Sequence, residues 1–351
     1  MLNIEYRPEN LEDFTFNKDL LEDLKSYDKQ NLTNILLYGG KGSGKTTLAY
    51  CLLKKIFNKR IDFQYKTKEI VLTSKTIEVE YYDSENVIEL NPSDYGFSDK
   101  NIIQEFINQI AETKTLRSLF SKKDQGYRVL VVKDADKLSE VAQASLRRTI
   151  ETSEKNLKFI FLATDLSKII KPIQSRMECF PVKRPSDNEV FDILKKICVS
   201  ENLNAEEEIL EKVSKSSNGN LLKALAITET FFLKNDIETK RLKNSSVLKL
   251  PHELEIGTVI QAIMESQTAD SVIKIRKILN NLLSKKVPAD LIMKEIVYFF
   301  IKLYKKPEEM CKIYSIFLKR LSYDGKEIIH LEAFILGIMC SIKNIKSNKK
   351  R

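Results

Sequence analysis

The segment Gly39-Gly40-Lys41-Gly42-Ser43-Gly44-Lys45-Thr46-Thr47 constrains this chain more than any other. It follows the apolar run Ile35 to Tyr38 and leads into Thr46 to Phe57, which reads as a helix. A glycine-rich loop between a buried strand and a helix lets backbone N–H groups converge on phosphate oxygens. Lys45 is then placed to neutralise β- and γ-phosphates, and the Thr46 hydroxyl to reach Mg2+. The helix dipole adds to the pull on the anion. The segment therefore reads as a phosphate-binding loop that holds ATP or ADP.

Around that loop, strand and helix patterns alternate over roughly the first 185 residues, which implies a parallel sheet with helices on both faces. Strands are expected at Asn34–Tyr38, Val87–Leu90, Val129–Val132, Phe159–Ala163 and Glu178–Pro181, with Ile77–Tyr82 as an extra edge strand. Helices are expected at Lys18–Tyr27, Thr46–Phe57, Ile102–Glu112 and Glu140–Ser153, and a loop at Ser121–Gly126.

The character changes at Arg184-Pro185. Ser186-Asp187-Asn188-Glu189 has the form of a capping box opening a helix to Glu201. Helices at Ala205–Ser214 and Asn220–Leu233 complete a small helical domain, and the polar stretch Lys234 to Leu250 reads as a linker. From Pro251 to Ile345 everything is helical in pattern, with starts at Pro288 and Pro307 and a turn at Asp324-Gly325. Ile292, Ile296, Phe299, Phe300 and Leu303 recur at helical spacing, and the basic tail from Lys343 to Arg351 is expected to fray. The expected domains are 1–185, an α/β nucleotide-binding domain; 186–243, a helical lid; and 251–347, an all-α domain.

Composition narrows the function classes. No apolar run reaches the roughly 18 residues of a membrane span, and Glu5, Glu9 and Glu12 argue against a signal peptide. Cys51, Cys179, Cys198, Cys311 and Cys340 form no C-x-x-C pair, so neither a disulfide framework nor a zinc site is expected. With His252 and His330 as its two histidines, the chain offers no histidine metal site. The 58 Lys and Arg against 49 Asp and Glu leave +9, which suits a polyanionic partner and equally a lysine-rich proteome.

An α/β domain with a phosphate loop, a helical lid and a helical tail resembles the layout of an AAA+ ATPase. Several motifs sharpen this: Tyr6-Arg7-Pro8, Glu89-Leu90-Asn91-Pro92-Ser93-Asp94, Gln143 to Glu151 with Arg147-Arg148, and Ser175-Arg176. Together they resemble the clamp-loader small subunits of replication factor C, nearly end to end. Val287 to Lys294 and His330 to Phe334 are similar to the collar of the end subunit, which has a degenerate ATPase site.

The resemblance implies that Tyr6, Arg7 and Pro8 contact adenine and that Arg176 acts in trans, as an arginine finger in a neighbour's site. It also exposes departures. A hydrolysing site needs a strand-end Asp for Mg2+ and an adjacent Glu for water. Here Val132-Lys133-Asp134-Ala135-Asp136 breaks that pair in either alignment. Thr164 stands at the sensor asparagine position and Leu222 at the lid arginine position, with Lys223 beside it. Nucleotide binding with little hydrolysis and weakened Mg2+ is the expectation.

The partners implied by the resemblance are other clamp-loader subunits in a heteropentamer, the sliding clamp PCNA and primer–template DNA. The implied setting is DNA replication and repair in the nucleus. Lys100 and Lys137 are candidate DNA contacts within a basic set that includes Lys114, Arg117, Lys122, Lys123 and Lys133, and a solvated face is the alternative. Two other functions stay open on sequence: a self-sufficient AAA+ ATPase and a P-loop nucleoside or small-molecule kinase.

Overall fold

The computed structural model describes residues 2–71, 76–107, 127–152, 157–201, 207–237, 250–304, 307–321 and 326–348. The chain divides into two compact units, Met1–Ile237 and Glu238–Arg351.

The first unit is built on a seven-stranded sheet: β1 (Ile35–Tyr38), β2 (Gln64–Val71), β3 (Thr76–Asp83), β4 (Val87–Leu90), β5 (Arg128–Val132), β6 (Leu157–Ala163) and β7 (Glu178–Pro181). Their spatial order is β2-β3-β4-β5-β6-β1-β7. β4, β5, β6, β1 and β7 pair in parallel, while β2–β3 and β3–β4 are antiparallel.

Side-chain alternation shows why the parallel part is covered on both faces. Leu36, Ile88, Leu130, Phe159 and Phe161 enter one core, and Ile35, Leu37, Val87, Val131 and Ile160 enter the other. Each such side chain contributes about 1.5–3 kcal/mol when fully buried. Asn34 stitches the centre: its side chain accepts from Phe159 N–H at 2.9 Å, and its carbonyl from Glu178 N–H at 2.8 Å.

The short α1 (Leu2–Glu5) precedes α2 (Lys18–Lys25) and α3 (Lys45–Phe57). Leu20, Leu24, Leu48, Leu52 and Ile56 from α2 and α3 fill one core. On the other face lie α4 (99–107), α5 (Glu140–Thr152) and α6 (Lys171–Gln174), with Phe106, Leu146 and Ile173 buried. Asp99 fixes this layer by accepting from Ser139 N–H at 2.6 Å and Ser139 Oγ at 2.9 Å. Gln143 does the same further along, donating to Leu138 and Lys168 carbonyls and accepting from Ile170 N–H.

Two differences from the sequence expectation stand out here. β2 was not expected, so Thr76–Asp83 is the second strand from the edge rather than the edge itself. The β2 sequence alternates Lys66 and Lys68 with Tyr65, Thr67 and Glu69, the mixed polarity that suits an exposed edge. The helix expected from Ile102 begins at 99, beside Ser139. Its later part and the loop at Ser121–Gly126 lie outside the described residues.

Three helices complete the unit: α7 (Asp187–Ser200), α8 (Glu207–Ser217) and α9 (Leu221–Ile237). The capping box forms as expected, with Glu189 N–H donating to Ser186 Oγ at 3.3 Å and Ser186 N–H to Glu189 Oε2 at 2.7 Å. α9 continues past Leu233, so 234–237 are helical and not linker; 238–249 lie outside the described residues.

The second unit contains α10 (Pro251–Glu265), α11 (Ala269–Ser284), α12 (Ala289–Tyr304), α13 (Pro307–Leu321) and α14 (Glu327–Asn348). Ile292, Ile296 and Phe300 face its core with Phe334, Ile338 and Leu279. Phe299 and Leu303 point outward instead, with Tyr298, because α12 buries a single face. The expected turn at Asp324-Gly325 lies outside the described residues. The basic tail does not fray at Lys343, since α14 runs to Asn348. Among the described residues no helix is long and apolar enough to cross a membrane.

Candidate nucleotide site

The phosphate loop leaves the carboxyl end of β1, in the sheet interior between β6 and β7, where open α/β sheets present ligand sites. At Gly39 a Cβ would lie 2.2 Å from the Val182 carbonyl oxygen, and two further glycines lie against side chains. Gly42 has φ +75°, and a Cβ there would lie 1.8 Å from Asn220 Oδ1. A Cβ on Gly40 would lie 2.0 Å from Arg184 Nε. The start of α9 therefore rests directly on the loop, and Leu221 N–H donates to Gly42 O at 3.3 Å. Lys45 folds over the loop and donates to Gly39 O at 2.7 Å and Gly40 O at 2.8 Å. Burial pulls its pKa down, against the raising effect of Asp136 and Asp134. The Ser43 hydroxyl is buried with no hydrogen-bond partner.

A cavity of about 580 Å³ opens over this loop, within the usual range of ligand sites. Gly42, Gly44, Lys45, Thr46 and Thr47 form its polar end. Tyr6, Pro8, Phe14, Ile193, Ile197 and Leu225 line its apolar part. Tyr6 Oη donates to Glu201 Oε1 at 2.7 Å, which ties the N-terminal segment to the end of α7. Arg7 Nε donates to Thr47 Oγ1 at 3.1 Å, and its guanidinium lies 4.6 Å from the Tyr50 ring centroid. An apolar slot ending in a lysine, two threonines and a glycine cradle fits a nucleotide: base in the slot, phosphates on the loop.

The end of β5 has a different character. Lys133 lines the same cavity and forms an ion pair with Glu89, which is 2 % exposed. The other Glu89 oxygen accepts from Tyr50 Oη. Burial first, then Glu89, raises the Tyr50 pKa and keeps that phenol protonated. Asp134, at φ +47°, pairs with Lys137 at 2.6 Å. Asp136 is buried and accepts from Thr164 N–H at 2.9 Å and Thr164 Oγ1 at 2.5 Å. Leu222 sits at the cavity rim, 56 % exposed.

The cavity thus gathers Tyr6, Arg7 and Pro8 with the loop residues Gly42, Gly44, Lys45, Thr46 and Thr47, and leaves Arg176 elsewhere. Arg176 precedes β7, the last strand of the sheet, as expected. Its guanidinium is held at home: Nε donates to Glu151 Oε1 at 2.5 Å, and Nη1 to Pro172 O at 2.8 Å. Lys100 begins α4 half-buried, and Lys137 is engaged by Asp134. Lys114, Arg117, Lys122 and Lys123 lie outside the described residues; Arg147 and Arg148 are both exposed on α5.

Sequence reasoning missed Glu89, Tyr50, Arg184 and Asn220 as site residues. Glu89 carried a signal, an acid inside the otherwise apolar run Val87–Leu90. The other three are brought in by the fold alone.

Comparison with known proteins agrees with this architecture. Residues 253–346 match the model of the replication factor C subunit 3 C-terminal domain. Residues 192–233 match an RCF1/5-like AAA+ ATPase lid domain, and 17–186 a DNA polymerase III delta subunit. Replication factor C subunit 5 of Saccharomyces cerevisiae is 31 % identical over 96 % of this chain and 98 % of its own length. Replication factor C subunit 3 of Homo sapiens is 28 % identical, over 96 % and 95 %. Among solved structures, a point mutant of Thermotoga maritima RuvB aligns with a TM-score of 0.50 at 14 % identity, covering 80 % of this chain and 88 % of that one. That likeness reflects the fold: an AAA+ α/β domain, a lid and a C-terminal helical domain. With near-complete coverage by such relatives, the chain belongs to the replication factor C small-subunit family.

Proposed function

We propose that this chain is a clamp-loader subunit that binds a nucleotide, hydrolyses it little or not at all, and acts through its assembly. The observation that carries this reading is the contrast inside one cavity: an open phosphate loop faces a β5 end whose carboxylates are all engaged. In this reading Lys45 and the loop N–H groups bind the phosphates, Arg7 orients Thr47, and Tyr6 and Pro8 border the base. Neither Asp134, paired with Lys137, nor Thr164, turned to Asp136, is free to orient a water. The donor set at β5 does not suit Mg2+: of the two residues that could stand at the metal-binding carboxylate position, Lys133 is a cation and Asp134 is paired with Lys137.

The α/β, lid and collar domains are assigned to 1–185, 186–243 and 251–347. The outward residues Tyr298, Phe299 and Leu303 suit α12 for contact with partner subunits. The sliding clamp and primer–template DNA follow from the clamp-loader reading, as does a nuclear location. The kinase alternative gives way to the family assignment.

Two measurements test the proposal. Full-length chain should co-purify with the other clamp-loader subunits, and a chain ending at Ile237 should not. Phosphate release by the isolated chain should stay near background. Turnover abolished by Lys45→Ala would favour a self-sufficient ATPase instead.

A further inference from the structure

We propose that this pocket holds its nucleotide without a divalent cation, the Lys133 ammonium supplying charge that a metal would otherwise bring. The proposal rests on the nucleotide reading above and adds the form of ligand taken: the free nucleoside polyphosphate rather than its magnesium complex.

Four observations converge on it. First, Lys133 lines the cavity together with Lys45 and Thr46, and a third of its side chain is exposed there. Second, the lysine is pinned. Glu89 lies beneath it as a buried counter-ion, and the Tyr82 ring centroid is 5.9 Å from Nζ. An ammonium has three donors, and the Glu89 oxygen needs one of them.

Third, each of the nearby carboxylates already has a donor or counter-ion. Glu89 gives one oxygen to Lys133 and the other to Tyr50; Asp136 gives one to Thr164 N–H and the other to its hydroxyl. Asp134 is paired with Lys137. Magnesium is normally held by one or two carboxylates together with phosphates, in strict octahedral geometry. Fourth, positive charge already surrounds the loop, with Lys45 over Gly39 and Arg184 packed on Gly40. A dication entering beside Lys133 would be repelled by its ammonium, an effect Glu89 offsets in part.

The test is equilibrium binding of fluorescent N-methylanthraniloyl-ADP to the full chain, in magnesium and in EDTA. Wild-type affinity should differ by less than about threefold between the two buffers. The double substitution Lys133→Met with Glu89→Gln removes the ammonium without stranding a buried carboxylate. Its affinity in EDTA should fall about tenfold, and magnesium should restore part of the loss. Lys133→Gln alone, which leaves Glu89 without its counter-ion, gives a second comparison should the double variant fail to fold. A wild-type chain that loses about tenfold or more in EDTA overturns the proposal, as does a double variant that binds like wild type there. Binding in neither buffer overturns the nucleotide reading itself, and this proposal with it.

Discussion

The phosphate loop and the end of β5 line one cavity and meet opposite fates. On the loop, the recognition groups are backbone N–H donors, one lysine and two threonines, held open by glycines. At β5, each carboxylate is engaged locally: Glu89 by Lys133, Asp134 by Lys137, Asp136 by Thr164. Binding of a polyanion is largely a backbone property, set by where β1 ends and α3 begins. Activating water needs a carboxylate free to turn toward it and take its proton. On the proposed reading, engaging each one with a neighbour removes the second function and leaves the first.

The largest effect should come from the loop. Lys45 is a partly buried ammonium over the phosphate cradle. Truncating one partner of a buried charge pair costs about 2–5 kcal/mol, so Lys45→Ala should weaken ADP binding at least about 30-fold by titration calorimetry. A Kd unchanged within twofold or so would move the nucleotide off this loop.

Next in size is the lid contact. Gly42→Ala places a methyl at φ +75°, where it meets Asn220 Oδ1. Strain of that kind costs about 1–3 kcal/mol, and either the loop or the start of α9 must yield. Affinity should drop about tenfold, and Asn220→Gly in the same chain should recover part of it by removing the clash. No recovery would mean that the strain alone explains the loss.

How far the fold could be read from sequence follows the same division. Four of the five parallel strands were found because both faces are buried, giving short runs such as Val129–Val132, whereas the edge strand β7 is only partly buried. β2 escaped because an edge strand with lysines on one face carries no such run. The Ser186 capping box was legible since its chemistry is local, whereas the true end of α9 was not marked by any glycine or proline. In the site, the loop residues form a contiguous motif and were found. Tyr50, Arg184 and Asn220 were not, because each acquires its role from a segment distant in sequence. Glu151 belongs with them: nothing in the sequence singled it out as the partner of Arg176.

A smaller effect should follow from returning a lost charge to the rim. Leu222 is exposed one residue after Leu221, whose N–H donates to Gly42. Leu222→Arg should tighten triphosphate binding by at most about fivefold, the scale of a solvent-screened ion pair of up to about 1 kcal/mol. It should not raise phosphate release, since no carboxylate at β5 is freed. A rise in turnover would show that the lid position, rather than β5, limits the chemistry.

The smallest effect on the chain itself should come from Arg176. In isolation its ion pair with Glu151 ties α5 to the turn before β7, and both side chains are partly exposed. Arg176→Ala should therefore cost about 1 kcal/mol or less in unfolding stability and leave nucleotide affinity unchanged, because the residue does not line its own cavity. The proposed role in trans requires the guanidinium to leave Glu151 when a neighbour's phosphates approach. Two variants then separate in the assembled complex. Arg176→Ala should lower DNA- and clamp-stimulated ATPase only in part, since other sites keep their own fingers, and lysine should rescue poorly because it lacks the planar fork. Glu151→Gln should keep that activity, or raise it, because it releases the arginine without removing it. Equal loss from both variants would identify the pair as a structural tether of α5, with no reach into the neighbouring site.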